Sequence, residues 1–241
     1  MRFRLLRPWI FIALLVASTG VALPDDPKAA AKPAAKTPAV QTKESQAAFT
    51  PAKALDKLKA GNTRFRTGTS VERNLPAKVK ATAAGQYPFA VVLSCMDSRV
   101  PAEMVFDQTI GSLFSIRVAG NVVNADNLGS LEYAAKVIGT KIIVVLGHTS
   151  CGAVKGAIDD VKLGNLTELL AKIQPAVAAS GPGTSKDHAY VDKVGEKNVR
   201  LAIKEIREKS PVLKELLDSG AVGLVGGMYD LETGAVTFFA D

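Results

Sequence analysis

The sequence predicts an α/β fold, with a mainly parallel central sheet flanked by helices and an antiparallel edge strand. Three observations predict it. Phe89-Ala90-Val91-Val92-Leu93-Ser94 and Lys141-Ile142-Ile143-Val144-Val145-Leu146-Gly147 are short, nearly continuous apolar runs rich in β-branched residues. Such runs suit strands buried on both faces of a parallel sheet. Stretches with helical spacing alternate with the strand-like ones, which is the pattern of α/β layering. Near the end, Gly234 marks a turn between residues 221–228 and 235–240, so these two strands are expected to pair antiparallel.

Taken in order, residues 54–65 place Leu55, Leu58 and Phe65 at helical spacing. The strand at 89–94 follows, then a further strand candidate at 113–119. Residues 127–138 set Leu128, Leu131, Ala135 and Ile138 on one helix face, ahead of the strand at 141–147. Two longer helical patterns, 163–179 and 191–209, come next, and Pro211 opens a short helix ending near Gly220.

Residues 1–22 read as a signal peptide. Arg2, Arg4 and Arg7 precede an apolar run at 9–17, and Gly20-Val21-Ala22 offers small residues for cleavage. The run is shorter than the about 20 residues a bilayer span requires, so the expectation is export to the periplasm or beyond, with no membrane association after cleavage. Residues 23–47 are rich in Ala, Lys and Pro and nearly without large apolar side chains, which predicts a disordered linker. Residues 48–241 then form one domain with enough apolar sequence for a full core. The net charge of +7 falls to +4 once the three leader arginines are removed. The remaining Lys and Glu interleave as on a solvated helix face, so no nucleic-acid surface is expected.

Chemistry concentrates in Cys95-Met96-Asp97-Ser98-Arg99 and His148-Thr149-Ser150-Cys151, which hold both cysteines and one of the two histidines. Each stretch follows a strand candidate, and open α/β sheets bind ligands outside the carboxyl ends of their strands. Adjacent parallel strands would bring Cys95 to His148, and a turn opening a helix would aim His148 and Cys151 at one metal ion. Two cysteines and a histidine suit catalytic zinc, because three protein ligands leave the fourth tetrahedral position open. Asp97 supplies a carboxylate there. It can close the site as a fourth metal ligand, or stand back when Arg99 grips it with its planar fork. Two cysteines in an exported chain would ordinarily suggest a disulfide, but a disulfide has no use for Asp97, Arg99 and His148 as neighbours. His188 follows the turn-like Gly181-Pro182-Gly183-Thr184 and is expected to be exposed.

These motifs resemble those of the β-class carbonic anhydrases. Residues 95–101 and 148–153 match nearly throughout. Supporting similarity runs through 58–65, Arg117-Val118-Ala119-Gly120-Asn121 and Gly226-Gly227-Met228-Tyr229-Asp230, while Thr109 and Ser112 depart from the usual pattern. The resemblance implies a Zn2+ enzyme that reversibly hydrates CO2 to bicarbonate and a proton through zinc-bound hydroxide, with Cys95, His148 and Cys151 as ligands. It implies that Asp97 and Arg99 gate the metal and orient the attacking oxygen, some members carrying the closed, Asp-ligated form. Gln108, Phe114 and Gly152 would contact the substrate, with Val118 and Ala119 beside them, and the protein would be a homodimer or homotetramer.

Thiolate donation should weaken the Lewis acidity of zinc relative to the unrelated three-histidine carbonic anhydrases, where bound water has a pKa of about 7. Activity is therefore expected to favour mildly alkaline pH. The same site could instead hydrolyse carbon disulfide or carbonyl sulfide, or hold zinc without catalysis with Asp97 locked as fourth ligand. A redox dithiol protein is the remaining alternative.

Overall fold

The computed structural model describes residues 40–239; the expectations for residues 1–22 and for most of 23–47 lie outside them. Helices α1 (Lys43–Ala47), α2 (Pro51–Arg66) and α3 (Leu75–Thr82) precede strand β1 (Ala90–Ser94). Then come α4 (Ala102–Val105), β2 (Leu113–Arg117), α5 (Ala125–Glu132) with a π-helical continuation over Tyr133–Ile138, and β3 (Ile142–His148). Helices α6 (Gly152–Ile158), α7 (Gly164–Ala171), α8 (Gln174–Ala178), α9 (His188–Lys209) and α10 (Pro211–Asp218) lead to β4 (Gly223–Tyr229) and β5 (Val236–Phe238). The strand order is β2-β1-β3-β4-β5, parallel except for the antiparallel β4–β5 edge. No helix among the described residues is long and apolar enough to cross a membrane.

Every residue of β1 and β3 is buried, as their unbroken apolar sequence requires. Alternation along the strands sends Val92, Val144 and Leu146 toward Leu58 of α2 and Phe106. It sends Val91, Leu93, Ile143 and Val145 toward Leu131 of α5, Val199 and Ile206 of α9, and Leu213 of α10. A third cluster gathers Cys95 and Cys151 with Val154, Ile173, Tyr190 and Val194.

Several boundaries differ from the sequence reading, each for a local reason. Composition carries the linker through residue 47, yet α1 occupies Lys43–Ala47. Thr42 and Ser45 form a reciprocal capping box, and buried Gln46 donates to the Pro88 carbonyl at 2.7 Å. The single helix expected over 163–179 is two, because Pro175 sits in the first turn of α8 and has no amide with which to continue α7. Helix α9 starts three residues ahead of Val191, where Asp187 accepts from the amides of Ala189 and Tyr190. Strand β2 ends at Arg117, since a 3-10 turn over Ala119–Asn121 follows, with Gly120 at φ 66°.

Helix α2 is locked to the sheet at Gly61 and Asn62. Asn62 donates to the carbonyls of Val105 (3.1 Å) and Gly234 (2.9 Å), and its Oδ1 accepts from the Val236 amide at 2.9 Å. Gly61 is what permits this approach: a Cβ there would stand 1.8 Å from the Phe106 carbonyl oxygen. Gly61→Ala is therefore expected to destabilise the fold by about 1–3 kcal/mol, the usual range for overpacking, read as a lower urea midpoint. An unchanged midpoint would contradict this packing.

Candidate active site

The β1–β3 pairing sets Ser94 opposite Leu146, so Cys95, just past β1, and His148, the last residue of β3, share the carboxyl edge of the sheet. The chain then turns through Ser150, held in the left-handed region at φ 54°, and Cys151 comes back into the same space immediately before α6. All three side chains are buried. Their donor atoms lie within 4.8 Å of one another, the only group of three or more potential ligands found among the described residues. The two sulfurs are 4.0 Å apart and both cysteines are free, so the disulfide alternative is not formed.

The imidazole is oriented for ligation. Its Nδ1 lies 2.9 Å from the Thr149 carbonyl, which can only accept, so Nδ1 carries the hydrogen and Nε2 keeps its lone pair. That Nε2 is buried with no hydrogen-bond partner among the described residues. The thiols are equally polarised. A hydrogen bond from Cys151 is the chief cause that pulls the Cys95 thiol down to about 4, against burial, with the amides of Asp97 and Gly120 assisting. Cys151 moves the opposite way, because it gives that hydrogen bond and is itself buried. The pair therefore shares a single proton, a thiolate at Cys95 and a thiol at Cys151. A soft or borderline divalent ion fits two such sulfurs and an imidazole nitrogen.

Asp97 flanks this cluster without entering it. Arg99 holds both its oxygens: the backbone amide and Nε donate to Oδ1 at 3.0 and 2.9 Å, and Nη2 donates to Oδ2 at 2.8 Å. Oδ2 is still only 3.9 Å from His148 Nε2. The Arg99 hydrogen bonds keep the Asp97 carboxyl well below the usual carboxylate range and raise Arg99 in turn. Since the folded value is the lower one, the pair stabilises the fold above the unfolded pKa of about 4 and that contribution fades as pH falls further. Arg117 braces the same loop, donating to the carbonyls of Asp97 (2.6 Å) and Cys95 (3.4 Å).

The residues expected to touch substrate separate. Gly152 sits beside Cys151, opening α6, and Val118 packs against the cluster that contains both cysteines. Gln108 donates instead to the Phe106 carbonyl and faces a hollow of about 150 Å³ shared with Arg73 and Asp107. Phe114 lines a different hollow of about 630 Å³ with Val91 and Tyr133. Neither lining includes Cys95, Asp97, His148 or Cys151. His188 is exposed as expected, yet its Nδ1 lies 3.2 Å from Ser150 Oγ, on the turn between two donors. The sequence carried no signal for that contact, nor for Asp192, whose Oδ1 accepts from the Ser150 amide at 2.7 Å. Arg117 stood in a motif the resemblance included, without an assigned role.

Residues 90–236 match the family model described as carbonic anhydrase. The solved structure of the β-carbonic anhydrase CcaA aligns with a TM-score of 0.63 at 25% identity, covering 77% of this chain and 87% of that one. The chain belongs to the β-class carbonic anhydrase family. This β-carbonic anhydrase is 36% identical over 190 residues to carbonic anhydrase 2 of Mycobacterium tuberculosis, covering 76% of this chain and 90% of the relative. It shares its fold, at 22% identity and a TM-score of 0.62, with a β-carbonic anhydrase of Sordaria macrospora described as tetrameric, over 79% of this chain and 95% of that one. By family it is an enzyme of the carbonate dehydratase class.

The sharing of one proton between Cys95 and Cys151 has a spectroscopic consequence. Metal-free protein is expected to absorb near 240 nm as one thiolate per chain at pH 6–8 and to lose that band on acidification through about pH 4. Absorbance that grows in only above pH 8 would contradict it.

Proposed function

We propose that this β-carbonic anhydrase reversibly hydrates CO2 to bicarbonate and a proton at a zinc ion held by Cys95 Sγ, Cys151 Sγ and His148 Nε2. The observation that carries the reading is the buried, unpartnered His148 Nε2, within 4.8 Å of two buried cysteine sulfurs. A buried acceptor without a partner costs about 1–3 kcal/mol, and a cation at that point satisfies it and displaces the remaining thiol proton. When bound, zinc supplies a Lewis acid that makes water nucleophilic at near-neutral pH.

The chain's own residues supply the rest. Asp97 is ionised and acceptor-only, and its Oδ2 edge stands beside the donor cluster, where it can take a hydrogen bond from the attacking water and fix its direction. Arg99 keeps that carboxylate charged and holds it off the cluster, so the position that Asp97 would fill in a closed site stays available to water. Closing the site would break the Arg99 hydrogen bonds to Asp97, which favours the open arrangement over a metal site locked by Asp97. Tyr133 and Val137 are exposed large hydrophobic side chains, and Tyr133 shares its surface hollow with Phe114 and Ile116. These exposed apolar side chains support a homodimer or homotetramer, while the leader-like residues 1–22 support export.

Stopped-flow hydration of CO2 at pH 7 and 8.5 tests the reading, with carbon disulfide and carbonyl sulfide assayed in parallel. Rapid CO2 turnover that depends on zinc is the expected result; turnover of the sulfur substrates alone would displace it. Asp97→Asn is expected to retain stoichiometric zinc while losing about 10²–10⁴-fold in turnover, the range for a positioned acid–base group. Full activity in that variant would remove the role given to Asp97.

A further inference from the structure

Helix α9 reaches both halves of the donor cluster. It runs close over β3: a Cβ on Gly195 would stand 3.9 Å from the His148 carbonyl oxygen. From the edge of its buried face, Asp192 Oδ1 accepts from the Ser150 amide at 2.7 Å. Ser150 is the residue that joins the His148 side of the cluster to Cys151, and it does so at φ 54°, a conformation that a residue with a side chain resists. Such strained residues persist only where their surroundings over-determine them, and the Asp192 bond is one of those constraints.

Six residues further along α9, Asn198 is 3% exposed and polar in an otherwise apolar face. Its Nδ2 donates to the Gly120 carbonyl at 2.7 Å. Gly120, also left-handed at φ 66°, points its own amide at Cys95 Sγ, 3.3 Å away. One helix thus braces the turn carrying His148 and Cys151 through Asp192, and the loop that solvates the Cys95 sulfur through Asn198.

We propose that Asp192 and Asn198 are positioning residues that hold the donor atoms in ligating geometry before the metal arrives; the inference rests on the zinc assignment above. Neither touches the metal or the substrate. Each acts through a backbone group, and bonds of this outer kind typically alter metal affinity by about 10–100-fold when lost.

The test is zinc affinity of the full chain, prepared metal-free and titrated against a chromophoric chelator, with Co2+ absorption as a second readout. Asp192→Ala is expected to weaken zinc by about 10–100-fold and to broaden the Co2+ bands. Asp192→Asn keeps an acceptor oxygen for the Ser150 amide and is expected to stay within about threefold of wild type. Asn198→Leu, which leaves the Gly120 carbonyl unpaired, is expected to weaken zinc about tenfold. Should Asp192→Ala fail to fold, Asp192→Ser replaces it, because its short hydroxyl stops short of the amide while the helix surface stays polar.

A merely structural role would lower the stability of the metal-free variants and leave the affinity of the folded protein and its Co2+ spectrum unchanged; that result would overturn the proposal. So would an Asp192→Asn variant as weak as Asp192→Ala. Wild type that binds no zinc would remove the zinc assignment itself and this inference with it. Wild type binding one zinc, with unaffected variants, would remove this inference alone.

Discussion

The parallel pairing of β1 with β3 is the constraint on which the rest of the molecule depends. It places Ser94 opposite Leu146, and every group of the donor cluster is delivered from the edge that this register defines. Because side chains alternate with period two, a slip of one residue would exchange the two buried faces and turn Leu93 and Val145 away from α9. The pairing is specified by burial on both sides: both strands are sealed, between α2 and Phe106 below and α5, α9 and α10 above. The sheet edge is therefore stiff, which a three-ligand site needs if its geometry is to exist without the metal.

Electrostatics at that edge follow from what the backbone can offer. Buried sulfur carrying charge is costly unless it is solvated by donors, and here the Gly120 amide and the second thiol provide them. The positive-φ residues Gly120, Asn121 and Ser150 cluster around the site. Left-handed backbone at Asn121 and Ser150 costs of order 1–3 kcal/mol each, offset by the packing and hydrogen bonds that fix them. Arg99, by contrast, reaches solvent and holds the partly buried Asp97 beside the donors. The result is a rigid buried donor set beside a carboxylate whose position is set by one arginine.

Much of this was legible in the residues themselves. Apolar runs sealed on both faces made β1 and β3 visible, and Cys95, His148 and Cys151 at their ends made the cluster visible. What the sequence hid lies in side-chain direction and in short elements. Helix α4 is too brief for a helical period to register, α3 leaves Leu75 and Val79 exposed so that no apolar stripe marks it, and Pro175 divides a pattern that looked continuous. Gln108, next to Asp107 at φ 47°, donates to the Phe106 carbonyl and lines a hollow with Arg73. Phe114 lies on β2, where alternation turns it toward Tyr133. Asp192 and Asn198 read as ordinary polar positions of an amphipathic helix, because their partners are backbone groups that no side-chain motif announces.

Zinc K-edge X-ray absorption on the full chain reads the donor set itself. The expected spectrum shows one zinc per chain with two sulfur neighbours at about 2.3 Å and a nitrogen at about 2.0 Å, the fourth position filled by a light atom. A first shell without sulfur, or a chain that takes up no zinc, would contradict it.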